Sequence, residues 1–230
     1  MKNHSTLFLA SALLLSYVAK SQSPVTAYVK AGPAIAIGAY GAGMENEEAG
    51  LARSGMSYGA GVSYDLNRNF YRLSMEFQYR SNPTNESEMK DWAQKSYPGI
   101  DWNIHAGTWK MQGLMLGVGT YVPEKKKLVL GFKVGLGVFG FNSPDLSITG
   151  SAGETSAFVS TKSDNAISGA FSIETEAGYR FNAHHSLTFS PDYFLAKPEF
   201  KSTNPVDGSI MNYKQEISTI GLNFRYNYRF

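Results

Sequence analysis

From residue 220 to the end of the chain, apolar and polar positions alternate without a break. Ile220, Leu222, Phe224, Tyr226, Tyr228 and Phe230 share one parity; Gly221, Asn223, Arg225, Asn227 and Arg229 share the other. An extended chain points successive side chains to opposite faces, so this segment is a two-faced strand. Residues 70–80 repeat the pattern, with Tyr71, Leu73, Met75, Phe77 and Tyr79 opposing Arg72, Ser74, Glu76, Gln78 and Arg80. In 167–181, Ile167, Phe171, Ile173, Ala177 and Tyr179 oppose Ser168, Ser172, Glu174, Glu176 and Arg180. Carried along the chain, the period of two predicts eight strands: 24–38, 55–66, 70–80, 108–122, 128–141, 166–181, 186–197 and 213–230.

The connections between them alternate in length. Those at 67–69, 123–127 and 182–185 are short, and those at 39–54, 81–107, 142–165 and 198–212 are long. A soluble sandwich has no reason to keep such a rhythm. An antiparallel up-and-down transmembrane barrel does, with short periplasmic turns and longer extracellular loops. An even strand number returns both termini to the periplasmic side. In lipid every backbone N–H and C=O needs an internal partner, so the sheet must close. Strands of about 11 residues are long enough to cross when tilted. A closed sheet of eight leaves an interior just wide enough for side chains. The apolar parity then faces hydrocarbon and the polar parity fills the lumen. The inward set is Lys30, Arg72, Arg80, Lys133, Arg180, Arg225 and Arg229 against Asp65, Glu76, Glu174, Glu176 and Asp192. Glycines on the same parity (Gly59 and Gly61; Gly113, Gly117 and Gly119; Gly131, Gly135 and Gly137) make room for these long side chains. Unpaired charges in such a place are costly, so a paired network that plugs the tube is expected.

The first residues read as an address. Lys2 precedes an apolar run over 7–18, followed by the small residues Ala19, Ser21 and Ser23. This is the plan of a secretory signal peptide over 1–21, cleaved after Ser21 or, alternatively, after Ser23. The run is too short to span a bilayer as a helix. The rest of the chain, 22–230, reads as one barrel domain. The full chain of 230 residues contains no Cys, which excludes a disulfide scaffold, a thiolate metal site and a cysteine nucleophile. A formal charge of +2 argues against nucleic acid as a partner.

Aromatic residues gather near the expected strand ends: Tyr64, Phe70, Tyr71, Tyr121, Tyr179, Phe181, Tyr226, Tyr228 and Phe230 toward the periplasmic rim, and Tyr40, Tyr79, Trp109, Phe141 and Tyr193 toward the outer rim. Two aromatic girdles are what the membrane interfaces favour. The terminal GLNFRYNYRF, with Phe230 last, Tyr228 two places before it and Tyr226, Phe224 and Leu222 alternating further back, resembles the C-terminal assembly signal of bacterial outer-membrane barrels. The whole chain resembles, by pattern, the small eight-stranded family of outer-membrane proteins A and X and the outer-membrane β-barrel domain proteins of Bacteroidota. The resemblance implies recognition by the barrel-assembly machinery and residence among outer-membrane lipids and lipopolysaccharide. No peptidoglycan-binding domain is expected, so murein anchoring is not implied.

Most candidate sites dissolve. The GxGxxG at 135–140 lies inside a strand and lacks the following helix of a dinucleotide site. His184 and His185 are adjacent on a short turn with no third ligand nearby, and Lys125, Lys126 and Lys127 read as a solvated turn. No cofactor or metal is expected. An enzyme acting on lipid A would need a serine and a histidine near the outer rim. His105 is the histidine of the outer loops, with Asp101 as its possible orienter and no serine identified. The four long loops carry a net −7, which suits either bridging to lipopolysaccharide phosphates through divalent cations or plain solubility. The long loop over 81–107 holds Trp92, Tyr97 and Trp102, residues that anchor a protein partner or fold back on the barrel mouth.

The expected function is that of a non-enzymatic integral outer-membrane barrel with a filled lumen, serving envelope integrity, adhesion or partner docking through its loops. A narrow transport pore, a lipid A-modifying enzyme and a soluble lipocalin-like ligand binder are the alternatives. The last would reverse the two faces, placing Leu73, Ile173 and Phe224 inside and Arg72, Glu174 and Arg225 in water.

Overall fold

The computed structural model describes residues 25–46, 48–66, 70–121, 127–203 and 210–230. The leader with both cleavage positions, the turn at 67–69, Lys125, Lys126 and the loop acids Glu47 and Asp207 lie outside the described residues.

Eight strands close into an antiparallel barrel: β1 (Val25–Ile37), β2 (Gly55–Asp65), β3 (Tyr71–Pro83), β5 (Thr108–Tyr121), β6 (Leu128–Asn142), β9 (Asn165–Arg180), β10 (His185–Ala196) and β13 (Ile217–Arg229). Neighbours in sequence are neighbours in space, and β13 returns to pair with β1, so Val29 stands opposite Tyr226 and Ala31 opposite Phe224. Each strand corresponds to one expected from the period of two. β3 runs three residues beyond the expected end, to Pro83, and the last strand begins at Ile217 because the residues before it belong to a separate hairpin.

The wall has the expected sidedness. Leu73, Leu136 and Phe224 point outward and are exposed, Phe224 by 62%, while Glu174 and Arg225 are buried at 3% and 2%. The lipocalin-like alternative fails on this arrangement.

The ladder is interrupted twice at one level. Pairing of β1 with β13 skips Gly32 and Pro33, and pairing of β10 with β9 skips Ser190 and Pro191. Proline has no N–H to give a ladder. Two inward side chains occupy the gaps: Ser57 Oγ donates to the Gly32 carbonyl at 3.2 Å, and Asn223 Nδ2 donates to the Ser190 carbonyl at 3.4 Å and to Asp192 Oδ2 at 2.9 Å.

The long loops carry structure of their own. After β1 the chain makes a one-turn helix α1 (Gly38–Gly41), entered through Gly38 at φ +59°. The next long loop holds helix α2 (Glu86–Ser96), begun by Asn85, whose side chain meets the Glu88 N–H and carboxylate, with Glu86 and Glu88 in the first turn and Lys95 in the last. It continues into β4 (Asp101–Ala106), which pairs with β7 (Leu146–Ala152) and so carries the β5–β6 hairpin beyond the mouth across Gly107 and Asp145. β8 (Thr155–Thr161) adds a third strand to this loop sheet, and β11 (Glu199–Thr203) pairs with β12 (Ile210–Lys214) in the last loop.

Replacing Asn223 with Ala is expected to destabilise the barrel by about 1–3 kcal/mol, because it strands the Ser190 carbonyl beside a proline. Urea unfolding of the barrel refolded in lipid vesicles measures this, and an unchanged midpoint would contradict the repair role.

Candidate functional site

The lumen is the largest assembly of polar side chains, and the alternation of each strand places it. Lys30 Nζ lies 2.7 Å from Glu76, 2.6 Å from Glu174 and 3.4 Å from Asp192. Lys133 bridges Glu76 and Glu174 at 2.8 and 3.1 Å. Arg225 Nη1 spans Glu174 and Glu176 at 3.0 and 3.1 Å. Arg80 donates to Asp192 at 2.7 Å and to Thr219 at 2.9 Å. Nearer the short-turn mouth, Arg72 holds Asp65 at 2.7 Å and Glu176 at 3.2 Å, and Arg229 approaches Asp65 at 3.6 Å. Arg180 is half-buried at the same mouth. Each buried carboxylate thus meets more than one cation, the arrangement in which buried charge is tolerated.

Glycine determines where these side chains fit. A Cβ on Gly59 would stand 2.8 Å from Glu76 Oε1 and 2.9 Å from Lys30 Cε; one on Gly131 would stand 2.6 Å from Glu176 Oε1. Tyr28, two residues from Lys30 on the same parity, also belongs to the network. Its hydroxyl donates to Glu76 at 2.8 Å, and the Arg225 guanidinium lies 3.5 Å from its ring centre.

The long-loop half of the lumen is apolar, which corrects the expectation of a charge-filled tube and of an outer aromatic girdle. Tyr40, Trp109 and Phe141, expected at the membrane interface, are turned inward and buried with Met111, Met115, Phe139 and Phe194. Trp109 packs edge-on to Tyr40 and Phe200 and donates its indole N–H to the Gly50 carbonyl at 3.0 Å. Burial pushes the Tyr40 hydroxyl well above its ordinary pKa. Arg80 joins the two halves, its guanidinium 4.7 Å from the Phe194 ring centre. Tyr121, assigned to the periplasmic rim, also faces inward, 4.4 Å beneath Arg72. Tyr79 and Tyr193 do face outward.

On the closing strand, Phe224, Tyr226 and Tyr228 are exposed outside the wall, with Leu222 half-buried beside them. His184 and His185 are not merely solvated. His184 stacks on Tyr228, its Nδ1 2.9 Å from the Arg229 carbonyl, and His185 Nδ1 meets the Tyr226 hydroxyl. Tyr228 packs edge-on to Phe230, centroids 5.0 Å apart.

In the loops, α2 lays Met89 and Ala93 on Ile104, flanked by Trp102, Leu146 and Ile148 of the sheet. Trp92, Tyr97 and Trp102 come together, with ring centroids 6.5 and 6.1 Å apart; Trp92 and Tyr97 are exposed, while Trp102 lies against Gly150. Asp101 is on the same strand face as His105 but four residues away, about 13 Å along the strand, too far to orient it. His105 instead stands opposite Ser147 on β7, with no hydrogen bond between their side chains among the described residues. No cluster of three or more His, Asp or Glu suited to a cation occurs among the described residues. The GxGxxG lies wholly within β6.

No known family pattern and no curated relative matches this sequence. Solved structures do resemble it. The barrel of Neisserial surface protein A superposes with a TM-score of 0.50 at 12% identity, covering 90% of this chain and 98% of that one. This chain has the fold of a small outer-membrane barrel. The outer-membrane protein OprG of Pseudomonas aeruginosa is a looser likeness, TM-score 0.46 at 12% identity over 90% of this chain and 98% of that one.

Glu174 bonds Lys30, Lys133 and Arg225 at once, so Glu174→Gln is expected to cost about 3–5 kcal/mol by leaving buried cations uncompensated. Unfolding of the refolded barrel checks this, and a cost below about 1 kcal/mol would mean that water reaches the network.

Proposed function

We propose that this protein is an integral outer-membrane barrel with a closed lumen that docks an extracellular partner through its loop sheet. The outward apolar wall supports the membrane assignment, because an exposed belt of Leu73, Leu136, Ile167 and Phe224 in water would be an aggregation liability and in lipid is the stable arrangement. Short turns at one mouth and long folded loops at the other support periplasmic termini. The packed interior, in which the cavity beside Lys133 and Glu174 measures only about 20 Å³, favours a plug over a transport pore.

The observation that carries the docking role is strand β8. It is the outer strand of the β4–β7–β8 sheet, its free edge unpaired among the described residues. Every residue of Thr155–Ser160 is exposed, Phe158 by 65%, and the strand contains neither charge nor proline. Soluble proteins blunt such edges with lysine, proline or a covering loop. An edge left bare is a template on which an extended segment of another protein adds a strand. The acidic loops favour a partner segment carrying lysine or arginine. Adhesion is the reading this geometry supports best. His105, with Asp101 too far along its strand to orient it, lends the lipid-modifying alternative no support.

Unboiled protein should migrate faster than boiled protein on SDS gels, and planar bilayers containing it should show no steady openings; regular large conductance would overturn the closed lumen. Val159→Pro is expected to reduce adherence of cells displaying the protein severalfold while leaving the gel shift unchanged. Full adherence by that variant would remove β8 from the docking role.

A further inference from the structure

The loop sheet continues the wall in register. In the wall, Lys110 of β5 stands opposite Asn142 of β6, and Asn142 opposite Asn165 of β9. Further out, Ala106 of β4 stands opposite Leu146 of β7, and Leu146 opposite Thr161 of β8. Neither ladder gains or loses a residue on the way. The Gly107 N–H donates to the Asp145 carbonyl at 2.8 Å and the Ser143 N–H to the Asp164 carbonyl at 2.9 Å, which holds the same register across the break. β4, β7 and β8 thus prolong β5, β6 and β9 beyond the mouth, by about 20 Å at the rise of a strand. The strand at the free edge, β8, reads nearly the same in both directions about Phe158: Thr155, Ser156 and Ala157 precede it, and Val159, Ser160 and Thr161 follow. Opposite charges flank it at equal distances, Glu154 on one side and Lys162 on the other. Both are exposed, and neither is in an ion pair among the described residues.

We infer that the occupant of the β8 edge is β8 of a second copy of this chain, carried by a membrane that faces the first. This deepens the docking role proposed above and rests on it. Antiparallel pairing centred on Phe158 sets Phe158 against Phe158 of the other copy, Ser156 against Ser160, Thr155 against Thr161 and Ala157 against Val159. Glu154 of each copy then meets Lys162 of the other, one charge pair at each end. A twofold interface requires a surface complementary to itself, and like charges directly opposite would oppose it; β8 carries none. The register also sets the orientation. The twofold axis of an antiparallel pair is perpendicular to the sheet, and because this sheet prolongs the wall, that axis is perpendicular to the barrel. Rotation about it turns the barrel end for end. Two copies joined in this way point their loops at each other and their short turns apart, as on adjacent cells. A single junction of this length is weak, and many of them between two surfaces add through avidity.

The test uses whole barrels, one per phosphatidylcholine nanodisc, with cysteines introduced into a chain that has none. A residue on the twofold axis faces itself within reach of a disulfide. Discs of Phe158→Cys treated with a copper–phenanthroline oxidant should therefore link into pairs of doubled mass that a reductant separates. Ser156→Cys discs alone should link severalfold less than the same discs mixed with Ser160→Cys discs. Adding Glu154→Lys to Phe158→Cys should lower the yield of pairs about threefold, and adding Lys162→Glu as well should restore it. Absence of linking at 158, or linking at 156 alone that equals the mixture, overturns the inference. The docking role is read separately, from adherence of displaying cells to cells that lack the protein. If Val159→Pro lowers that adherence while discs do not link, the edge takes a foreign segment and only the second copy is excluded; if neither effect is seen, the docking role falls with it. Where Phe158→Cys does not give the gel shift of a closed barrel, the mixture of Ser156→Cys with Ser160→Cys carries the same decision.

Discussion

A peptide group surrounded by hydrocarbon has only other peptide groups to bond. On the proposed placement in a membrane, most features of this chain follow from that constraint. It requires the sheet to close, and closure of eight strands creates an inside too narrow for a water column. The inward side chains must therefore satisfy one another, and here they do so through carboxylates shared between two or three cations, with glycines cut into the wall where the longest of them lie.

The interior is divided rather than uniform. At the short-turn end and the middle it is ionic; at the long-loop end it is a packed aromatic core that joins Trp109 and Phe139 of the wall to Tyr40 and Phe200 of the loops. Arg80 stands at the junction, its charge on Asp192 and its flat face on Phe194. The apolar half fastens the first and last long loops to the barrel through Tyr40, Ala52 and Phe200.

Much of this was legible in the sequence. Period two, with the alternation of short and long connections, located all eight wall strands and the side on which each charge falls. The aromatic core was legible too but was misread. The parity that puts Gly135 and Gly137 inward also puts Phe139 and Phe141 inward, yet ring-bearing residues near strand ends were assigned to the interface by type rather than by parity. Tyr28 shares its face with Lys30, so the parity alone places it in the network. The structure within the loops was not legible. The strands β4, β7 and β8 are short, β7 and β8 are rich in serine and threonine, and β4 gains its partner β7 only across a long sequence separation, while α2 is a helix fixed chiefly by its Asn85 start and by Met89 and Ala93 against the sheet.

The doubly interrupted ladder bears on how the chain selects its alignment. Sliding a strand by one residue exchanges its greasy and polar faces and is forbidden at once, whereas sliding it by two preserves both and is nearly invisible to alternation. On β13 the two-step slip is not invisible. Pro33 leaves a gap in the ladder of β13 with β1, where Ser57 bonds the Gly32 carbonyl, and Pro191 leaves one at the same height between β10 and β9, where Asn223 reaches across to the Ser190 carbonyl; a displacement of β13 by two would bring Gly221 or Arg225 there instead. The pair of prolines works as a key cut for a single tooth, telling the last strand where to stop.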